Sequence, residues 1–254
     1  MRRRLRIVSW NVGRLYSPTH NNRLDDADVP AVAAVLGELH PDIVLLQELI
    51  DDRQLTALQS RMFPRLGEFR AAIATACGYD RHVAALARVE LQPRFDEALL
   101  GQTTRGVVGV RFSLDDDGDL VGAALSVHFD VFGADRRAEQ GDALAELAEA
   151  RAEPLVIFGG DLNIDPRVAA ASAAGAAAGF AAGTHNLLDV RTFARLTRNF
   201  VDAGRDSGAT LLGIFRVDHL FVKGAARAVL CVSPRRLPLG DHHPLVLDVD
   251  VDPT

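Results

Sequence analysis

Polar and apolar residues alternate from Leu5 to Asn11 and place Leu5 and Ile7 on one face, the pattern of a strand with one covered side. From Pro30 to Leu39 the apolar positions recur at helical spacing, with proline at the start, where a helix tolerates it. Residues 42–47 and 155–158 are short continuous apolar runs, as in strands covered on both faces. The same reading predicts a helix over 51–60, strands over 71–76 and 82–88, and an amphipathic helix over 134–151. Strands over 106–112 and 120–127 flank Asp115–Asp119, whose Asp and Gly residues suit a hairpin turn. That run lacks the spaced ligands and closing Glu of a calcium-binding loop. Asp165-Pro166 reads as a helix start, and the Ala- and Gly-rich stretch over 168–185 as either an ordered surface helix or a mobile lid. Strands over 217–222, 227–232 and 244–249 close the chain. Many strands interleaved with helices, with no linker and no fixed-period repeat, predict packed sheets with helices outside, in a single domain over 1–254.

With 254 residues, 48% of them apolar and 24% charged, the chain is long enough to bury a large core without staples. Its two cysteines, Cys77 and Cys231, are too few for a disulfide framework, which fits a reducing, cytoplasmic setting. Met1-Arg2-Arg3-Arg4 imitates the start of a signal peptide, but no apolar segment follows it. No apolar run of about 18 residues is present, so no transmembrane segment is expected. The net charge of −6 speaks against gripping nucleic acid by bulk charge, while leaving a local basic groove open. A monomer is expected.

Polar residues interrupt the pattern where strands end: Asn11, Gln47-Glu48, His128, Asp161 with Asn163, Asp218-His219, and Asp241-His242-His243. Each alone has an ordinary explanation as a turn former, a solvated strand end or a structural histidine. Together they supply one reaction. A hard cation such as Mg²⁺, or Mn²⁺ in its place, takes oxygen ligands, with Glu48 as the primary one and Asn11 or Asp241 able to help. Hydrolysis of a phosphate ester needs a base for the attacking water, the role of His242, and a carboxylate that holds the imidazole, the role of Asp218. Asn163 and His128 would stabilise phosphoryl charge, and Asp161 would orient the water or hold a second metal.

These motifs resemble those of the endonuclease/exonuclease/phosphatase superfamily, the fold of deoxyribonuclease I, exonuclease III and neutral sphingomyelinases. The resemblance rests on Trp10-Asn11-Val12, Leu46-Gln47-Glu48, Ser126-Val127-His128-Phe129, Gly160-Asp161-Leu162-Asn163, Arg216-Val217-Asp218-His219 and Gly240-Asp241-His242-His243-Pro244, in family order. It implies an α/β fold, a four-layered α/β sandwich of two packed mixed β-sheets flanked by helices, with the site at one edge. It also implies that His242 is the base, Asp218 its orienter, Glu48 the metal ligand and Asn11 a metal or phosphate contact. Asp161 and Asn163 would flank the nucleophile and the phosphate. Arg105, before a central strand, and Arg137 with Gln140, after the His strand, match recurrent positions that are structural or close to substrate. Two residues depart from the family pattern: Gly240 stands where Ser is usual, and Phe129 where Leu is usual. His128 resembles the deoxyribonuclease-I, sphingomyelinase and phosphoinositide branches more than the apurinic-site endonucleases.

Three functions compete. A metal-dependent phosphoesterase acting on a small or lipid-like ester suits the acidic balance and the 6% aromatic content. Within it, a membrane-working sphingomyelinase should show an exposed aromatic hairpin, and the single Trp lies in the first motif. A nuclease acting on DNA or RNA would use arginines at 191, 195, 198, 235 and 236 as a basic rim. A catalytically inactive binding module would have lost a core residue, and none is missing.

Overall fold

Ile43–Leu49 and Leu155–Asp161 are buried at every position, and each lies near the middle of a sheet. The computed structural model describes residues 3–13, 26–75, 81–100, 106–114, 121–131, 133–177, 184–224, 227–232 and 240–251. In chain order the elements are β1 (Arg3–Asn11), α1 (Val29–Leu39), β2 (Ile43–Leu49), α2 (Asp52–Leu66), β3 (Phe69–Thr75), β4 (His82–Arg88), β5 (Arg94–Leu99) and β6 (Gly106–Phe112). They continue with β7 (Gly122–His128), α3 (Ala134–Glu149), β8 (Leu155–Asp161), α4 (Pro166–Ala177), α5 (Thr184–Thr197), β9 (Val201–Asp202), β10 (Asp218–Gly224), β11 (Arg227–Val232) and β12 (Leu245–Val251). One sheet runs β11-β12-β1-β2-β4-β3 and the other β5-β6-β7-β8-β10-β9.

Each sheet holds one parallel pair, β1 with β2 and β7 with β8, and each pair is joined through a helix, α1 or α3. All other neighbours are antiparallel. Alternation then sorts the side chains. Leu5 and Ile7 of β1 face the second sheet and meet Val108, Val110, Ile157 and Leu220 in one core cluster. Val8 and Trp10 point the other way, into a layer with Val32 and Leu36 of α1 and Leu58 and Met62 of α2. On the far side Val156 and Phe158 of β8 pack with Leu144 of α3 and Leu196 of α5. The four layers are helix, sheet, sheet, helix, as the motifs implied.

Several boundaries differ from the sequence reading. The second helix runs to Leu66 because Met62 and Leu66 continue its buried stripe, with Pro64 inside it. β5 was not predicted: its side chains are largely half-exposed at the edge of a sheet, so the apolar alternation is weak. Asp165 does start a helix, its Oδ1 accepting from the N–H of Arg167 (3.0 Å) with Pro166 in the first turn. The 168–185 stretch contains the rest of α4 and the start of α5, while 178–183 lies outside the described residues, as does the turn at 115–119.

Candidate active site

Strand direction brings the predicted polar positions to one edge of the sandwich. Parallel pairing sets Asn11 beside Gln47 at the ends of β1 and β2, and His128 beside Asp161 at the ends of β7 and β8. β10 runs antiparallel to β8, so its first residue, Asp218, pairs with Asp161. β12 runs antiparallel to β1, with Leu245 opposite Ser9, and the preceding His242 therefore arrives at the same edge. Trp10 fastens it there: its Nε1 donates to the His242 carbonyl oxygen at 3.1 Å.

Glu48 reaches the site through a bulge. Gln47 pairs with Val83 and Leu49 with His82, leaving Glu48 as the extra residue, at φ +65°. A non-glycine residue in the left-handed region costs roughly 1–2 kcal/mol, and a bulge re-aims the side chain it carries. Beneath it the sheets are tied together, Gln47 Nε2 donating to Ser126 Oγ (3.1 Å) and Ser126 Oγ to the Leu46 carbonyl (3.0 Å).

The imidazole of His242 is held by a carboxylate, its Nδ1 lying 2.8 Å from Asp218 Oδ2. Its other nitrogen, Nε2, stands 3.7 Å from Asp161 Oδ2. Asn11 Nδ2 donates to that same Asp161 oxygen at 3.0 Å, and the Asn11 side chain also hydrogen-bonds Glu48. Asn11 Oδ1 accepts from the N–H of Gly13 at 3.0 Å. Asn163, at φ +53°, donates its N–H to Asp161 Oδ1 (2.9 Å) and its Nδ2 to the Phe129 carbonyl (3.1 Å). His128 Nε2 lies 3.8 Å from both Glu48 Oε1 and Asp161 Oδ2.

These groups are buried, and burial sets the direction in which the two carboxyls titrate. It pushes Glu48 up to about 7 despite the Arg81 guanidinium, and Asp161 up to about 6 despite the pull of His242. Burial would lower His242, but Asp218, Asp161 and Asp241 outweigh it and push the imidazole up to about 10. The site is thus a crowd of carboxylates in a desolvated place, which disfavours their charge until cationic charge arrives. Ligand atoms of Asp161, Asp218 and His242 lie within 4.8 Å of one another, close enough to share an ion. Glu48, Asp161 and the Asn11 amide make an oxygen-rich donor set of the kind Mg²⁺ or Mn²⁺ prefers.

Three contributors escaped the sequence reading. Arg81 Nη1 donates to Glu48 Oε1 at 2.9 Å. Buried Thr210 accepts through Oγ1 from the N–H groups of Val217 (3.2 Å) and Asp218 (3.1 Å), while its carbonyl accepts from His243 N–H (2.7 Å). Trp10 stood in a recognised motif, but its bond to His242 spans 232 positions and had no local mark.

The remaining predicted residues divide between the edge of the site and the frame around it. Asp241 is half-buried next to His242, and its carbonyl accepts from Leu212 N–H (2.8 Å). His219 is buried, with Nε2 2.9 Å from the Ile164 carbonyl. Arg137 makes a two-pronged pair with Asp189 (2.9 Å each), and Gln140 Oε1 accepts from Asp130 N–H (2.8 Å), so both brace the loop after β7. Arg195 is bound to Glu149 at 2.6 Å, which removes it from a basic rim. Arg105, Arg235 and Arg236 lie outside the described residues.

The family model described as the Endonuclease/Exonuclease/phosphatase family matches residues 8–242. No curated protein matches the chain. Among solved structures, an endonuclease/exonuclease/phosphatase from Bacteroides vulgatus is similar at a TM-score of 0.75 and 17% identity, over 98% of this chain and 100% of that one. Truncated TDP2 of Caenorhabditis elegans is similar at 0.67 and 17% identity, over 98% of each chain. A mannosyl-6-phosphatase from Bacteroides thetaiotaomicron is similar at 0.62 and 17% identity, over 96% of this chain and 99% of that one.

Proposed function

The chain belongs to the endonuclease/exonuclease/phosphatase family, and from that we propose that it is a divalent-metal-dependent phosphoesterase hydrolysing a phosphate ester or diester. The observation that carries the reading is the buried Asp218–His242 pair at 2.8 Å, with Asp161 on the other side of the same imidazole at 3.7 Å.

Glu48 is the primary ligand for Mg²⁺ or Mn²⁺, with Asn11 and Asp241 as further oxygen donors. A carbonyl oxygen has two lone pairs, so the bond from Gly13 leaves Asn11 Oδ1 able to serve. The bound ion would neutralise charge on the phosphoryl oxygens and position them. With the carboxylate charge that keeps His242 protonated offset by a bound cation, the neutral imidazole would take the proton of the attacking water at Nε2, while Asp218 fixes the tautomer through Nδ1. Asp161 accepts a hydrogen bond from that water and orients it. Asn163 and His128 donate to the phosphoryl oxygens as charge builds on them, and Asn11 contacts them through the ion it helps to hold. Arg105 is a further candidate for contacting the phosphate.

The test is a panel of mono- and diesters, nucleic acids and phospholipids, starting with bis-p-nitrophenyl phosphate, in Mg²⁺ or Mn²⁺. Hydrolysis is expected to vanish with EDTA and to fall on Glu48→Ala or His242→Ala. A rate that survives both substitutions, or the absence of any rate across the panel, would sink the reading.

A further inference from the structure

Thr210–Arg216 forms a tight loop that is locked onto the catalytic edge. Leu211 N–H donates to the Phe215 carbonyl (2.8 Å) and Phe215 N–H to the Leu211 carbonyl (3.1 Å). The loop turns through Leu212 at φ +51° and Gly213 at φ +69°. Leu211 forms a β-bridge with His242, and Leu212 N–H donates to the Asp241 carbonyl (2.8 Å). Arg167 Nη2 ties the Ile214 carbonyl to the start of α4 at 3.2 Å.

This anchored loop turns apolar side chains outward. Leu212 is 43% exposed, Ile214 63% and Phe215 38%. Between Thr210 and Arg216 the sequence Leu-Leu-Gly-Ile-Phe has no charged or hydrogen-bonding side chain, and Arg216 itself is buried against Asp202 (2.7 Å). The neighbouring site segments add Val131, three residues after His128, and Val168, beside Arg167. Five of the eight large exposed apolar residues among the described residues therefore sit on segments that carry or brace the site. Apolar groups gathered at a working site mark a binding surface.

We infer that this loop is an apolar rim that receives an aromatic or alkyl group attached to the scissile phosphate, so the preferred substrate is an ester with an apolar substituent next to phosphorus. The inference rests on the phosphoesterase reading above. Its occupant follows from continuity: Leu211 bridges His242 and Leu212 N–H bonds the Asp241 carbonyl, so the rim adjoins the backbone that carries the imidazole, where the reaction itself brings whatever phosphorus carries. The cations at this loop are already paired, Arg167 with Asp165 and Arg216 with Asp202, which leaves little for a polyanionic strand, whereas an apolar substituent finds three side chains held in place before it arrives.

The test compares binding of phenylphosphonate and methylphosphonate in Mg²⁺ buffer, each having one organic group and no leaving group. Competition against bis-p-nitrophenyl phosphate and calorimetric titration both read the preference. Wild type is expected to bind the phenyl compound about tenfold or more tightly, as hydrophobic pockets discriminate. The Leu212→Ser/Ile214→Ser/Phe215→Ser variant should bring the two compounds within about two- or threefold. These side chains are exposed and the loop is held by main-chain bonds, so circular dichroism should show an unchanged fold. A preference kept by the triple variant overturns the inference, including when that variant loses binding to phosphatidylcholine vesicles or loses self-association. Absence of hydrolysis with the phosphonate preference intact would fault the phosphoesterase reading alone.

Discussion

Glu48→Gln should make the metal-free protein more stable at pH 8, while removing its response to Mg²⁺. Burial lifts the Glu48 carboxyl from 4.5 to about 7, even with Arg81 2.9 Å away. The folded state therefore holds more protons than the unfolded one between those values, and stability falls as pH rises across that window. At 1.36 kcal/mol per tenfold, the loss amounts to about 3 kcal/mol once Glu48 is charged. Glutamine keeps the shape and the bulge conformation but has no charge to desolvate. Urea unfolding in EDTA should give equal stabilities for variant and wild type near pH 4 and a gain of about 3 kcal/mol for the variant at pH 8. In Mg²⁺ at about 1,000 times its Kd the order should reverse, because a ligand at that excess adds about 4.1 kcal/mol to the protein that binds it. A variant no more stable than wild type at pH 8 in EDTA would refute the desolvation argument, and one that Mg²⁺ stabilises as much as wild type would refute the ligand assignment.

Other consequences concern the imidazole and its support. His242→Ala should lower kcat by about 10²–10⁴-fold with folding intact, and Asp218→Asn should lower it by loosening the tautomer, both read in diester hydrolysis. Unchanged turnover in folded Asp218→Asn would remove Asp218 as the orienter. Trp10→Phe deletes the bond from Nε1 to the His242 carbonyl, so kcat should fall more than KM changes, and equal kcat would show that the backbone is held without it. Arg137→Met leaves buried Asp189 unpaired and should cost about 3–5 kcal/mol in urea unfolding. A near-neutral result would place Arg137 outside the structural frame.

Much of the fold was legible because burial leaves period and composition in the chain. β2 and β8 are covered on both faces and read as apolar runs, and α1 shows its stripe and its proline. β5 was missed because an edge strand needs no strict alternation. The stretch around Arg191, Arg195 and Arg198 suggested a basic rim, but charge in a sequence carries no partner, and Glu149, 46 positions from Arg195, takes that side chain. The rim within Leu211–Phe215 was also hidden, since five uncharged residues before a strand look like any buried segment until their exposure is known.

Locally, then, the chain determined its buried strands, most of its helices and the polar residues that end the strands, because pattern and motif are properties of neighbours in sequence. Tertiary structure decided which of those residues meet. Antiparallel β10 sets Asp218 opposite Asp161, antiparallel β12 returns His242 to the end of β1, and a bulge turns Glu48 towards both. The perturbed titration of Glu48, Asp161 and His242 belongs to that same level, for desolvation and facing charge exist only once two sheets have closed over them.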